Sequence, residues 1–200
     1  MPIMSRVLDD LLDANRRYAS DFGGRGALPM QPRRRIAILT CMDARLDPAR
    51  FAGLGEGDAH IIRNAGGRAS ADAIRSLVVS WKLHGTREWL VVHHTDCELQ
   101  TVTDRILADL LASSLRPAAR TADGWRDPGD VRPGSRVGRY VRWLTIRNMG
   151  AAVLEDVQHL RRHALVPPDI AIYGYVYDVR CGRLIEVPGA AEAGCRRTAD

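Results

Sequence analysis

Two hundred residues are enough for one domain and short for two. Hydrophobic residues make up 46% and charged residues 26%, which excludes disorder as the default, and no apolar run reaches the roughly 20 residues of a membrane helix. The net charge of +5 is carried almost wholly by Arg, Lys82 being the only lysine. Its densest runs, Arg33-Arg34-Arg35, Arg161-Arg162 and Arg196-Arg197, are too short for a nucleic-acid arm. The stretch Met1 to Arg6 lacks the basic-then-apolar layout of a secretory signal, so the expectation is a cytoplasmic chain with neither nucleic-acid nor membrane partner.

Residues 5–20 predict an amphipathic helix with Ser5 as N-cap and Val7, Leu8, Leu11, Leu12 and Tyr18 near helical spacing. A Gly/Pro-rich linker runs from Phe22 to Pro32. Arg35 to Thr40 is a short β-branched and apolar run ending at Cys41, the pattern of a buried parallel strand. Pro48 to Leu54 predicts a short helix, and Ala59 to Asn64 a second strand closed by Ala65-Gly66-Gly67. Ser70 or Asp72 caps a helix from Ala71 to His84. Glu88 to His94 is a third strand, and 103–113 is helical. Residues 116–138 carry little pattern. Gly150 to His163 is a further amphipathic helix, Asp169 to Asp178 a fourth strand, and Arg183 to Val187 returns as an edge hairpin. The tail 189–200 reads as mobile. The alternation of strands and helices predicts one α/β domain over 1–200, with a mostly parallel central sheet flanked by helices.

Two motifs fall at the C-terminal ends of separate predicted strands, where open α/β sheets place their sites: Cys41-Met42-Asp43-Ala44-Arg45 and His94-Thr95-Asp96-Cys97. Thiolate and imidazole are the ligands of a borderline-soft ion such as Zn²⁺. Cys41, His94 and Cys97 offer three such ligands, and the fourth position holds either water or the Asp43 carboxylate. Arg45 is within reach of Asp43. Taken singly, each cysteine also fits a small buried hydrophobe. The other cysteines, Cys181 and Cys195, fall in a hairpin turn and the tail.

Cys41-x-Asp43-x-Arg45, Arg63-Asn64-Ala65-Gly66 and His94-x-x-Cys97, in that order, resemble the signature of β-class carbonic anhydrases, most of all the small bacterial branch. The resemblance spans residues 5 to about 112 and about 150 to 187. It implies a zinc enzyme that interconverts carbon dioxide and bicarbonate, with Cys41, His94 and Cys97 as ligands. It also implies an Asp43–Arg45 pair in which Asp43 either ligates zinc, closing the site, or turns to Arg45. Homodimers or homotetramers are implied, the N-terminal helical arm 5–20 packing on a neighbour. Hydrolysis of carbonyl sulfide or carbon disulfide by the same zinc chemistry is the alternative activity, and a weakly active zinc- or bicarbonate-binding module is a third reading.

Gly66, Gly67 and Glu98 are expected to line the substrate pocket. Glu98 stands where the family commonly has Gly. It either points to solvent at a helix N-terminus, where a negative charge is favourable, or approaches the metal. Residues 126–148 read as an insertion whose Arg132, Arg136, Arg139, Arg142 and Arg147 form a solvated or partner-facing surface, or cover the site. His93 points away from its neighbour His94 and reads as a core or hydrogen-bonding residue.

Overall fold

The computed structural model of the protein describes residues 5–129 and 133–196. The chain divides into two compact units, one ending at Met30 and one starting at Gln31. The first holds α1 (Arg6–Ser20), capped by the Ser5 hydroxyl, which accepts from the Leu8 N–H at 3.2 Å. None of the residues of α1 is buried, so this helix adds no side chain to a core.

The second unit follows the order β1 (Ile36–Cys41), α2 (Pro48–Phe51), β2 (Ala59–Asn64), α3 (Ala71–His84), β3 (Glu88–His94) and α4 (Asp104–Ser113). It continues with β4 (Ala119–Thr121), β5 (Gly124–Arg126), α5 (Met149–Arg162), β6 (Ala171–Tyr177), β7 (Leu184–Glu186) and α6 (Ala190–Ala193). The main sheet runs β2-β1-β3-β6-β7. Its first four strands are parallel, and β7 returns antiparallel on β6 as the expected edge hairpin. Alternate residues of a strand face the same side. Ala37 and Leu39 of β1, Trp89 and Val91 of β3 and Ile172 of β6 therefore share one face. They form one core with Ile74 and Leu77 of α3 and Val153, Val157 and Leu160 of α5. Each large side chain buried there contributes about 1.5–3 kcal/mol. Because β1 and β3 are parallel neighbours paired at Thr40 and Val92, their C-terminal ends lie side by side.

Two stretches depart from expectation. Within 116–138, β4 and β5 pair as a small antiparallel hairpin, and a 3-10 turn at Arg136–Tyr140 packs on α4, the Ser135 N–H donating to the Leu111 carbonyl at 2.7 Å. Arg136, Arg139, Arg142 and Arg147 are exposed, and Arg132 lies outside the described residues. The segment 189–196 is docked, which corrects the mobile tail over that range; 197–200 lie outside the described residues. Ala190 is fully buried, and the Gly194 carbonyl accepts from the Ile172 N–H at 3.0 Å and from Arg161 Nη2 at 2.7 Å. The cause is the small size of these residues: Gly174 of β6 leaves the space that Ala190 fills. No helix among the described residues is long and apolar enough to cross a membrane.

Candidate metal centre

The strand ends bring the donor set together. Cys41 closes β1 and His94 closes β3. Asp96 then takes a left-handed conformation, φ 56°, which Asp tolerates better than most residues, and the turn returns Cys97 to the same place. One ligand atom from each of Cys41, His94 and Cys97 lies within 4.8 Å of the others, and all three residues are buried.

The donor chemistry fits a zinc-like cation. Nδ1 of His94 sits 2.9 Å from the Thr95 carbonyl, which can only accept, so Nδ1 carries the proton. The lone pair is then on Nε2, which is buried and has no hydrogen-bond partner. An orphaned imidazole nitrogen between two thiols is what a thiolate- and imidazole-binding ion satisfies. Without a metal, the three groups shift one another's protonation. The hydrogen bond from Cys97 holds the Cys41 thiol well below its ordinary value against its burial, with help from His94 and from the backbone of Asp43 and Gly66. Cys97 is pushed up by the Cys41 thiolate and by burial. Burial opposes the charged form of His94, and the neighbouring Cys41 thiolate outweighs it, raising the imidazole above its usual value.

Asp43 is turned to Arg45. Nε of Arg45 reaches Oδ1 at 3.0 Å, Nη2 reaches Oδ2 at 2.7 Å, and the Arg45 backbone N–H donates to Oδ1 at 2.9 Å. Arg45 also donates to the Asp96 carbonyl at 3.1 Å, tying the two motifs together. These bonds, first among them the Arg45 side chain, hold the Asp43 carboxyl down to about 2. Its Oδ2 stands 3.8 Å from His94 Nε2, beside the donor set.

Gly66 and Gly67 form the wall behind Cys41. Both have left-handed φ, 77° and 69°. A Cβ on Gly67 would lie 2.9 Å from the Cys41 nitrogen and the Thr40 carbonyl carbon, so only Gly fits there. A Cβ on Gly66 would meet the Leu99 side chain at 2.7 Å. Glu98 is elsewhere: its side chain is 60% exposed and Oε1 lies 3.5 Å from Arg120 Nη1. It starts the 3-10 turn Glu98–Gln100, the solvent-facing one of the two placements expected for it.

Sequence reasoning missed two contributors. Arg63 of β2 donates from Nε to the Cys41 carbonyl at 3.0 Å and from Nη2 to the Asp43 carbonyl at 2.7 Å, clamping the Cys41–Asp43 loop. Its presence in the Arg63-Asn64-Ala65-Gly66 run was the available signal. Ile146, inside the stretch read as an insertion, is 2% exposed and packs with Cys41, Leu46, Cys97 and Ala152; nothing in its local pattern marks it.

The family model described as carbonic anhydrase matches residues 36–184. Beta-carbonic anhydrase 1 of Mycobacterium tuberculosis is 40% identical over 185 residues, covering 90% of this chain and 98% of that protein. A carbon disulfide hydrolase from an Acidianus strain is 31% identical over 188 residues, 89% of each chain. The solved carbonic anhydrase from Glaciozyma antarctica superposes with a TM-score of 0.75 at 41% identity, covering 92% of this chain and 99% of that one. With that agreement of sequence, fold and donor set, the chain belongs to the β-carbonic anhydrase family.

Proposed function

We propose that this chain is a zinc-dependent carbonic anhydrase, converting CO2 and water to bicarbonate and a proton, with Cys41, His94 and Cys97 holding the metal. The observation that carries this reading is the buried, partnerless His94 Nε2 between two thiols, beside a carboxylate held by Arg45. Zinc in such a site supplies Lewis acidity that makes water a nucleophile near neutral pH. Two thiolates cancel its formal charge, so the activation is weaker than with three neutral imidazoles.

The chain's own residues supply orientation. Asp43 stays ionised and presents Oδ2 as a hydrogen-bond acceptor 3.8 Å from His94 Nε2. A carboxyl held near 2 is too weak a base to remove the proton, so it orients the attacking water, and solvent or buffer takes the proton. Arg45 fixes Asp43 by two oxygens, and Arg63 fixes the backbone beneath it. Leu46, Leu99 and Ile146 give an apolar wall suited to a linear, uncharged gas.

The 31% identical carbon disulfide hydrolase keeps carbon disulfide or carbonyl sulfide as the second reading. The exposed Val7, Leu8, Leu11 and Leu12 of α1 suit a neighbouring copy of the chain, in line with a homodimer or homotetramer. Zinc analysis with CO2, carbonyl sulfide and carbon disulfide turnover on one preparation tests the reading. One zinc per chain with CO2 as the fastest substrate is expected. Zinc-loaded protein with turnover only on the sulfur gases would overturn it.

A further inference from the structure

A second set of buried polar contacts lies behind the donor set and converges on one carboxylate. Asp156 of α5 is 3% exposed. Its Oδ2 accepts from His93 Nε2 at 3.1 Å and from Arg68 Nε at 2.8 Å, and its Oδ1 accepts from Arg68 Nη2 at 3.1 Å. His93 is fully buried and its Nδ1 has no partner, so Asp156 is the polar hold on that ring. His93 precedes His94 in β3. Arg68 follows Gly66-Gly67, which lie against Cys41.

From Arg68 the contacts continue to a strained loop. Nη1 donates to the Leu144 carbonyl at 3.0 Å and reaches the Thr145 carbonyl at 3.5 Å. Leu144 has φ +56°, a left-handed conformation that a non-glycine residue adopts only under strain. On the other side Asp104 accepts from the Trp143 N–H at 3.2 Å, the Thr145 N–H at 3.0 Å and the Thr145 hydroxyl. The next residue, Ile146, packs on Cys41 and Cys97 and donates its N–H to the Leu99 carbonyl at 2.9 Å. A cavity of about 880 Å³ borders Arg68, Asp104, Leu144, Thr145 and Ile146. With open space on that side, polar bonds rather than packing hold the strained turn.

Resting on the metal-site reading above, we propose that Asp156 and Arg68 are positioning residues for the Cys41–His94–Cys97 centre. Asp156 fixes His93 next to one ligand, and through Arg68 and the Leu144 turn it seats Ile146 against the other two. A buried ion pair is weak evidence for stability by itself, because desolvation offsets most of its attraction; holding one conformation is its best-attested use.

Cobalt-loaded protein tests this, since the visible absorption of Co²⁺ reports ligand geometry whether or not the enzyme turns over. Asp156→Asn and Asp104→Ala are compared with wild type by that absorption and by metal loss to a chelator, after circular dichroism has established folding. Both variants should shift the cobalt bands and weaken metal retention on the order of 10-fold. Leu144→Gly added to Asp104→Ala should restore both, because Gly adopts the left-handed turn without strain. Asp104 is exposed, so its variant decides the matter if Asp156→Asn does not fold. Wild-type bands and retention in folded Asp104→Ala, or in folded Asp156→Asn, would overturn the proposal. Absent CO2 turnover in the zinc form with a shifted cobalt spectrum in the variants would instead overturn only the activity.

Discussion

Arg45 grips Asp43 by both carboxylate oxygens, at 3.0 Å and 2.7 Å, while the same carboxylate stands 3.8 Å from His94 Nε2. The grip keeps Asp43 out of the donor set. Without Arg45, Asp43 would be free to turn toward the donor set, and the positioned acceptor would be lost. Turnover on CO2 should fall about 10–100-fold, the range for loss of a ligand-orienting partner, with zinc content unchanged. Normal turnover in Arg45→Ala would show that the pairing is incidental.

Gly67 and Gly66 should respond unequally to a methyl group. At Gly67 the new Cβ meets backbone at 2.9 Å in a left-handed conformation, and backbone cannot give way. Gly67→Ala should cost about 3 kcal/mol, combining overpacking with the left-handed penalty. At Gly66 the obstacle is the Leu99 Cδ1 methyl, which can turn aside, so Gly66→Ala should be milder. Denaturant unfolding of the two variants checks the order.

The buried Asp156 sets a pH dependence. Burial opposes its ionised form, and the bonds from His93 and Arg68 outweigh this, so its folded value lies below the ordinary aspartate value. A depressed carboxyl contributes stability above its unfolded value near 4, and the contribution is lost as pH falls through the folded value. Asp156→Asn should therefore destabilise by about 3 kcal/mol at neutral pH, the lower end for breaking a buried pair, because Glu155 still accepts from Arg68 at 2.9 Å. The gap in melting temperature between the two proteins should shrink below about pH 4. A gap that is constant down to about pH 2.5 would contradict the assignment.

Glu98 offers the reverse expectation. Its Arg120 contact is exposed on both sides, and such pairs contribute about 0–1 kcal/mol. Glu98→Gly should leave kcat and KM for CO2 unchanged. Faster turnover would place the carboxylate nearer the metal than it stands.

The candidate donor residues were legible in the sequence because each sits at or just past the end of a strand whose apolar run is local. Cys41 and His94 follow directly from Ile36–Cys41 and Glu88–His94. The 3.6-residue periodicity likewise marked α3, whose bounds came out as expected. What stayed hidden depends on partners far apart in the chain. Arg68 meets Asp156 across 88 residues, and Thr145 meets Asp104 across 41, so no window of sequence contains the pair. β4 and β5, three residues each, carry no alternation of buried side chains to detect. α6 is Ala190-Ala191-Glu192-Ala193, whose docking comes from small size against Gly174 rather than from an apolar stripe. Glu98 looked equivocal because its position beside Cys97 was visible and Arg120 was not.

The most direct measurement is stopped-flow CO2 hydration on zinc-quantified protein at about pH 8.5, with Cys41→Ser alongside, since water activated by zinc should be largely ionised there. The account predicts about one zinc per chain and fast turnover in the wild type. It predicts that both are lost in Cys41→Ser. Full zinc occupancy with negligible hydration in the wild type, or undiminished hydration in Cys41→Ser, would contradict it.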